Sequence, residues 1–411
     1  MSVRKRTWTN SKGEDQTAWV ADYVDGKGAR RLKTFKLKKQ ADAFAATASV
    51  EVREGVHVAD SASATVKQAG VFWIASSEAA GLERTTVDSY RSHVDLHIVP
   101  CIGSLKLSAL NIPAVRSFED QLREAGRSPA MVRKVMVSLG SLLADAQERG
   151  LTGRNVVRDI RGRRKGGERR QEKRQKGRLK IGVDIPTREE VKTIVGALEG
   201  RWRPLLLTAI FTGLRASELR GLRWSDVDLD RREIRVHQRA DRFNTIGKPK
   251  SISGERTVPA PPMVINALRE WKLICPKRDT GNVDANGNKI MALDLVFPNG
   301  AGKVEQLNNI VRRGLQPVQI AAGVAVETDA VDEEGKPVLA AKYSGLHALR
   351  HFYASWCINR PQDGGLGLPP KVVQERLGHS SIVMTMDVYG HLFPRGDDAE
   401  ELALAERALL S

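Results

Sequence analysis

Cysteine is scarce: the 411 residues hold three, Cys101, Cys275 and Cys357. They lie far apart and show no metal-ligand spacing, which argues against a disulfide framework and a cysteine-ligated metal centre. Buried free thiols in a reduced compartment, and so a cytoplasmic protein, are expected. No stretch approaches the ~18 apolar residues of a membrane span. The start, MSVRKRTWTNSKGEDQ, carries basic residues with no apolar run behind them, so no signal peptide is expected. Acid is also in short supply. The chain has 49 Asp+Glu against 66 Lys+Arg, a formal charge of +17. That excess favours a polyanionic partner, most simply nucleic acid; a merely adhesive basic protein is the bland alternative.

What is present is enough for real cores, since 41% of residues are hydrophobic. The length calls for two or three domains. Residues 1–57 read as a small sheet with a helix. TAWVADYV and ARRLKTFKL are strands joined at DGKG, VRKRTWT adds a third, and KKQADAFAATASVEVREG is helical and stops at Gly55. The open face of that sheet is expected to carry Arg30, Arg31, Lys33 and Lys36, with Trp8, Trp19, Tyr23 and Phe35 in the core. A basic sheet of this kind suits a DNA groove and equally a solvated surface. Residues 62–160 read as a helical bundle of four segments closed by Gly or restarted near Pro.

Residues 161–183 open with RGRRKGGERRQEKRQKGRLK, eleven Lys/Arg against two Glu. Such a run cannot build a core and reads as a linker, with Arg163 and Arg164 among the residues expected along phosphates. Residues 184–395 form the next domain, opened by a capping box at Thr187 and Glu190. The stretch from Val324 to Lys342 is long and acidic and is expected to be a surface hairpin. Residues 396–411 make an amphipathic tail with Leu402, Ala405 and Leu409 on one side.

The chemistry-bearing residues lie in that last large domain. Tyr389 ends LGHSSIVMTMDVYGH, ten residues after His379, and has the look of a nucleophile. A phenol with a pKa near ~10 needs a positive surrounding to attack phosphorus. Arginine suits the clamp, because its planar fork offers two parallel donors and keeps its charge. Arg215 stands in TGLRASELRGLRW after a helix broken by Gly213, with Glu218 placed to brace it. His347 and Arg350 are three apart in HALRHF and share a helical face. His351 pairs with His347 at a spacing metals also use, but there is no HExxH and no cysteine cluster, so metal ranks below phosphate and His351 reads as a packed structural histidine. Lys250 lies near a hairpin tip and can deliver a proton, with Lys248 as competitor. Taken singly, an Arg–Glu pair, a lone histidine and a half-buried tyrosine are each ordinary.

Together, Arg215 with Glu218, Lys250, His347-x-x-Arg350, His379 and Tyr389, in this order, resemble the tyrosine recombinases of the phage integrase type. TGLRASELRGLRWSDVDL, HALRHFYAS and LGHSSIVMTMDVYGHLFP carry the likeness. The resemblance covers the whole chain and implies a multidomain fold. It implies an arm-site DNA-binding domain of a small β-sheet plus helix at 1–57 and a core-binding helical bundle at 62–160. A mostly α catalytic domain with a small antiparallel sheet follows at 184–395. By resemblance Tyr389 forms a 3′-phosphotyrosine bond, Arg215 and Arg350 clamp the phosphate, and His379 adds a hydrogen bond. Lys250 protonates the 5′-oxygen, His347 assists at the tyrosine, and Glu218 supports the site. The same resemblance implies double-stranded DNA with core and arm sites as partner, a homotetramer, and no ATP, metal or other cofactor. It leaves room for accessory directionality or DNA-bending factors and for a tail that docks in cis or on a neighbour. A type IB topoisomerase-like enzyme and a DNA-binding regulator without catalysis are the competing readings.

Overall fold

The computed structural model describes residues 1–160 except 10, 12, 27, 56 and 61, residues 178–394 except 250 and 285, and residues 398–411 apart from some side chains of the tail, Ala405 among them. Arg163, Arg164 and Lys250 therefore lie outside the described residues. The chain divides into two compact units, Met1–Arg164 and Lys165–Ser411.

The first unit opens with three antiparallel strands in the order β1 (Ser2–Thr9), β2 (Asp15–Val24) and β3 (Arg30–Phe35). Helix α1 (Lys38–Arg53) packs on one face. The pairing Trp19↔Phe35, Ala21↔Lys33 and Tyr23↔Arg31 puts these residues on the helix side, where Tyr23 meets Phe44 edge-on at 5.6 Å. This corrects the expected open face. Arg31 and Lys33 point toward the helix: Arg31 binds Asp25 at 2.8 Å, and Lys33 pairs with Asp60 at 2.5 Å and lies over the Phe44 ring. The open face instead carries Arg4, Arg6 and Arg30, and Lys36 is exposed just past β3. Trp8, expected inside, shares that open face and is 42% exposed, while Tyr23 is buried. Side chains alternate across a strand, so a register one residue different reverses the whole set.

Helices α2 (Val66–Ala79), α3 (Arg84–His93), α4 (Val99–Ile102), α5 (Ile112–Glu124), α6 (Pro129–Glu148) and α7 (Val156–Asp159) complete the unit. A π turn over Val94–Ile98 joins α3 to α4. Thr65 with Gln68 forms a capping box, and Asn111 and Ser128 cap α5 and α6. In α6 the residues Val132, Val135, Leu139, Leu142 and Ala146 recur at helical spacing and are all buried against Trp73, Ile98 and Phe118. Each large aliphatic side chain so buried contributes roughly 1.5–3 kcal/mol.

In the second unit, α8 (Arg188–Gly196) starts at the capping box of Thr187 and Glu190. Helix α9 (Trp202–Thr212) is apolar almost all round and buried. It ends at Gly213, whose φ of +61° only glycine adopts freely and where an added Cβ would sit 2.2 Å from the Tyr353 ring. Helix α10 (Ala216–Gly221) follows two residues later. Strands β4 (Val227–Asp228) and β5 (Glu233–Val236) then pair with β8 (Arg256–Pro259) in a three-stranded antiparallel sheet, with a hairpin of β6 (Arg239–Ala240) and β7 (Ile246–Gly247) between. The tip of that hairpin is at Asp241–Thr245, upstream of Lys250.

Helix α11 (Pro262–Ile274), the hairpin of β9 (Arg278–Val283) and β10 (Lys289–Ala292), and helices α12 (Leu307–Asn309) and α13 (Gln316–Ala321) come next. The acidic stretch is a hairpin, β11 (Ala325–Val331) and β12 (Pro337–Ala341), as expected. The chain closes with α14 (His347–Ile358), α15 (Pro370–Leu377), α16 (Ile382–Tyr389) and α17 (Asp398–Leu410). One core gathers Leu206, Ile210, Leu219, Ile234, Val258 and Leu349, and a smaller one packs Tyr353, Cys357, Val373 and Leu377 around Tyr389. Leu402, Leu409 and Leu410 of α17 are exposed. Cys275 and Cys357 are buried and free; Cys101, also free, is exposed, against expectation. No helix among the described residues is long and apolar enough to cross a membrane.

Candidate active site

Three separate segments deliver the cations. Arg215 sits at the N-terminal cap of α10, directly after the left-handed turn at Gly213, so its position is set by where α9 stops. Its Nη1 donates to Glu218 Oε1 at 2.7 Å, its backbone N–H donates to Glu218 Oε2 at 2.8 Å, and its Nη2 donates to the carbonyl of Gly378 at 2.9 Å. Arg350, one turn into α14, is 2% exposed and donates to the carbonyls of Gly213 and Leu377. Burial, then the charge of Arg215, push the Arg350 guanidinium down to about 9, which leaves it charged at neutral pH.

The third cation was not anticipated. Arg256, on β8, donates to both Glu218 oxygens at 3.1 and 2.8 Å and to the carbonyl of Arg376 at 2.8 Å. It therefore ties the sheet to Glu218 and to the turn that carries His379. Burial pushes the Glu218 carboxyl up, but the Arg256 hydrogen bonds and charge and the Arg215 charge outweigh it and hold the carboxyl at about 2. Nothing in ERTVPAP announces this role; the pairing joins positions 38 apart in sequence.

The α15 helix stops at Gly378, φ +62°, where a Cβ would meet Arg256 and the Ser253 carbonyl within 3 Å. The turn there points His379 inward. It is 7% exposed, and its Nδ1 lies 2.9 Å from Thr385 Oγ1. Gln374 Nε2 donates to the His379 carbonyl at 2.8 Å. Burial, then the charges of Arg350 and Arg215, push His379 down to about 4. The Tyr389 ring stacks on His379, centroids 6.2 Å apart and 3° from parallel.

Tyr389 ends α16 and is 2% exposed. Burial pushes its phenol up to about 12, opposed by the charges of Arg350 and Arg215. Its hydroxyl lies 2.7 Å from His351 Nδ1, so His351 is not the merely packed histidine expected from sequence. The i, i+4 spacing from His347 was the available signal, and it could not reveal a partner 38 residues downstream. His347 borders a cavity of about 290 Å³ with Arg215 and Arg350. Burial, then those two arginines, lower its pKa. His391 turns away, to the carbonyl of Leu179 at 2.8 Å.

The structure thus gathers Arg215, Glu218, His347, Arg350, His379 and Tyr389 in one place. Two guanidiniums, Arg215 and Arg256, pair with one carboxylate while Arg350 bonds only backbone carbonyls, so positive charge is left over, an arrangement suited to an incoming phosphate. Among the described residues, no group of three or more His, Cys, Asp or Glu is placed to hold a metal ion.

The sequence model described as phage integrase family matches residues 186–395, just over half of the chain and the whole of this site. The chain belongs to the phage integrase family. As such it is a tyrosine recombinase, and its fold agrees with those of solved integrases. It is similar to the tyrosine recombinase XerC-like protein of Caldanaerobacter subterraneus subsp. tengcongensis, 26% identical over 401 residues and 92% of each chain. It is also similar to the transposase from transposon Tn916 of Enterococcus faecalis, 29% identical over 193 residues, 45% of this chain and 41% of that one. The integrase of transposon Tn1549, solved with circular intermediate DNA, has a TM-score of 0.59 at 19% identity and covers 84% of this chain and 100% of its own. A lambda integrase tetramer bound to a Holliday junction gives 0.52 at 16% identity over 91% of this chain and 95% of that one.

The buried imidazoles make this recombinase acid-sensitive. His351 and His379 both fall to about 4 from an ordinary 6.5, so between those values the unfolded chain binds protons that the folded one refuses. Stability is then fully present above about 6.5 and declines as pH drops toward 4, by a few kcal/mol on an order-of-magnitude scale. The Glu218 contribution is lost lower still, progressively from about 4.5 down to about 2, and so lies below most of this window. Urea unfolding of the full chain should show a lower midpoint at pH 5 than at pH 7; equal midpoints would contradict the buried neutral imidazoles.

Proposed function

We propose that this integrase-family protein is a site-specific DNA recombinase of a mobile element. It cleaves and rejoins DNA through a 3′-phosphotyrosine intermediate. The observation that carries this reading is the convergence of Arg215, Arg350, His379 and the buried Tyr389 hydroxyl around one net-positive pocket.

Tyr389 attacks the scissile phosphate and frees a 5′-hydroxyl. Arg215 and Arg350 take the non-bridging oxygens, exchanging carbonyl partners for stronger charged acceptors. His379, held by Thr385, adds a hydrogen bond. His347 assists proton transfer from beside the cavity, and Lys250 protonates the leaving 5′-oxygen. Glu218 braces Arg215 and Arg256. The ester keeps the bond energy of the broken strand, so the chemistry calls for neither ATP nor metal.

The partners follow from the same reading. The first domain, residues 1–57, serves arm sites; the bundle at 62–160 binds core sites and the domain at 184–395 carries the chemistry there; the charge of the basic run at 161–183 suits phosphates. On the sheet, contact falls to Arg4, Arg6 and Arg30 of the open face, not to Arg31 and Lys33. The protein works as a homotetramer on DNA inside the cell. The exposed leucines of α17 fit docking on a neighbouring subunit.

A nicked duplex carrying the core site tests the chemistry. Wild type should be trapped on DNA in a denaturant-resistant complex, and Tyr389→Phe should not; trapping by the Phe variant would remove Tyr389 as nucleophile. The arm assignment has its own test. The Arg4→Ala/Arg6→Ala double variant should flatten the slope of log affinity against log salt by roughly 1.8, about 0.9 per lost phosphate contact, with core cleavage kept. An unchanged slope would place arm binding elsewhere.

A further inference from the structure

The Tyr389 hydroxyl touches a side chain that none of the roles above employs. His351 Nδ1 lies 2.7 Å from Oη, and the two rings meet at 62° with centroids 5.7 Å apart. His351 follows His347 by one turn of α14, and those rings meet nearly edge to face at 4.4 Å.

We propose that His351 is a catalytic residue: its Nδ1 accepts the Tyr389 proton as Oη attacks phosphorus and returns that proton on rejoining. The proposal rests on the reading of Tyr389 as nucleophile.

A phenol this deeply buried holds its proton firmly and attacks poorly until something accepts it. The surroundings offer few acceptors. His347 borders the cavity, meets the His351 ring and makes no hydrogen bond to Oη among the described residues, so its assistance is indirect. Arg350 cannot accept a proton, and it already donates to the carbonyls of Gly213 and Leu377. His379 has Nδ1 engaged with Thr385 and lies parallel to the tyrosine ring rather than at its hydroxyl. His351 alone has a ring nitrogen in hydrogen-bond contact with Oη among the described residues. Burial, then the neighbouring His347 and Arg350, push its pKa down to about 4, so it is neutral at neutral pH. With the ring proton on Nε2, Nδ1 presents a lone pair to the hydroxyl.

The step balances. The Oη–P bond forms while the P–O5′ bond breaks. The hydroxyl proton moves to His351 Nδ1 and leaves an imidazolium, and the departing 5′-oxygen takes its proton from the acid assigned to Lys250. In rejoining, the 5′-hydroxyl returns its proton to the group assigned to Lys250 as it attacks, the P–Oη bond breaks, and the imidazolium restores the phenol. An imidazolium beside Arg350 is unfavourable on its own, but the bound phosphate supplies the compensating negative charge. The same repulsion favours return of the proton.

The test measures single-turnover trapping by the full chain on the nicked core duplex. His351→Ala should trap roughly 10²–10³-fold more slowly than wild type, with added imidazole recovering about tenfold or more. DNA affinity should stay within about threefold, since the cationic clamp is intact. His351→Gln keeps a hydrogen-bonding side chain but takes no proton, and should also be slow. A slow His351→Gln supports the role even if the Ala variant fails to fold. Wild-type trapping by His351→Gln, or trapping by His351→Ala within about threefold of wild type, would overturn it. Trapping by Tyr389→Phe would instead overturn the reading beneath it, so the two failures are distinguishable.

Discussion

The Glu218 carboxylate, buried and gripped by Arg215 and Arg256, is the contact on which the rest of the site depends. Two like charges about 4 Å apart repel by roughly 4 kcal/mol at an effective dielectric of 20, so guanidiniums do not crowd together unaided. Glu218 neutralises one charge and leaves the others under tension. The carbonyls of Gly213, Leu377 and Gly378 hold the remaining donors in place without cancelling their charge. A pocket built this way stays short of negative charge until a phosphate enters. Removing one partner of such a buried pair typically costs about 3–5 kcal/mol, because the other is stranded. Stability and the proposed catalysis thus draw on the same carboxylate.

The carbonyls that complete the pocket come from the ends of helices. Gly213 ends α9 and Gly378 ends α15, both in the left-handed region. The same two turns aim Arg215 and His379 inward. Helix length in this domain therefore sets active-site geometry. The apolar face that buries Leu206 and Ile210 fixes where α9 must stop, and so where Arg215 begins.

Much of this was legible in the sequence, and the reasons differ by feature. The capping box at Thr187 is local chemistry, so its helix begins where the residues say. The hairpin at 324–342 was legible as a long acidic stretch with no core-forming pattern, and it folds back at Asp332–Lys336. Arg215, His347, Arg350, His379 and Tyr389 were readable because their order along the chain carries the family pattern. The misses depend on through-space partners. Arg31 and Lys33 were placed on the wrong face because nothing local fixes strand register. Arg256 carries no sequence signal and His351 reads as merely packed because each finds its hydrogen-bond partner 38 positions away. Cys101 was expected inside, yet it lies exposed on the short α4.

The central claim is that the hydroxyl of Tyr389 becomes the ester oxygen within this arginine-lined pocket. The most direct measurement is to digest the protein–DNA adduct formed on a nicked core site and to sequence the peptide that remains on the DNA, with the chemistry of the DNA end determined. The account predicts a peptide modified at Tyr389, joined to a 3′-phosphate, with a free 5′-hydroxyl on the other fragment. A modification at any other residue, or a 5′-phosphate linkage, would contradict it.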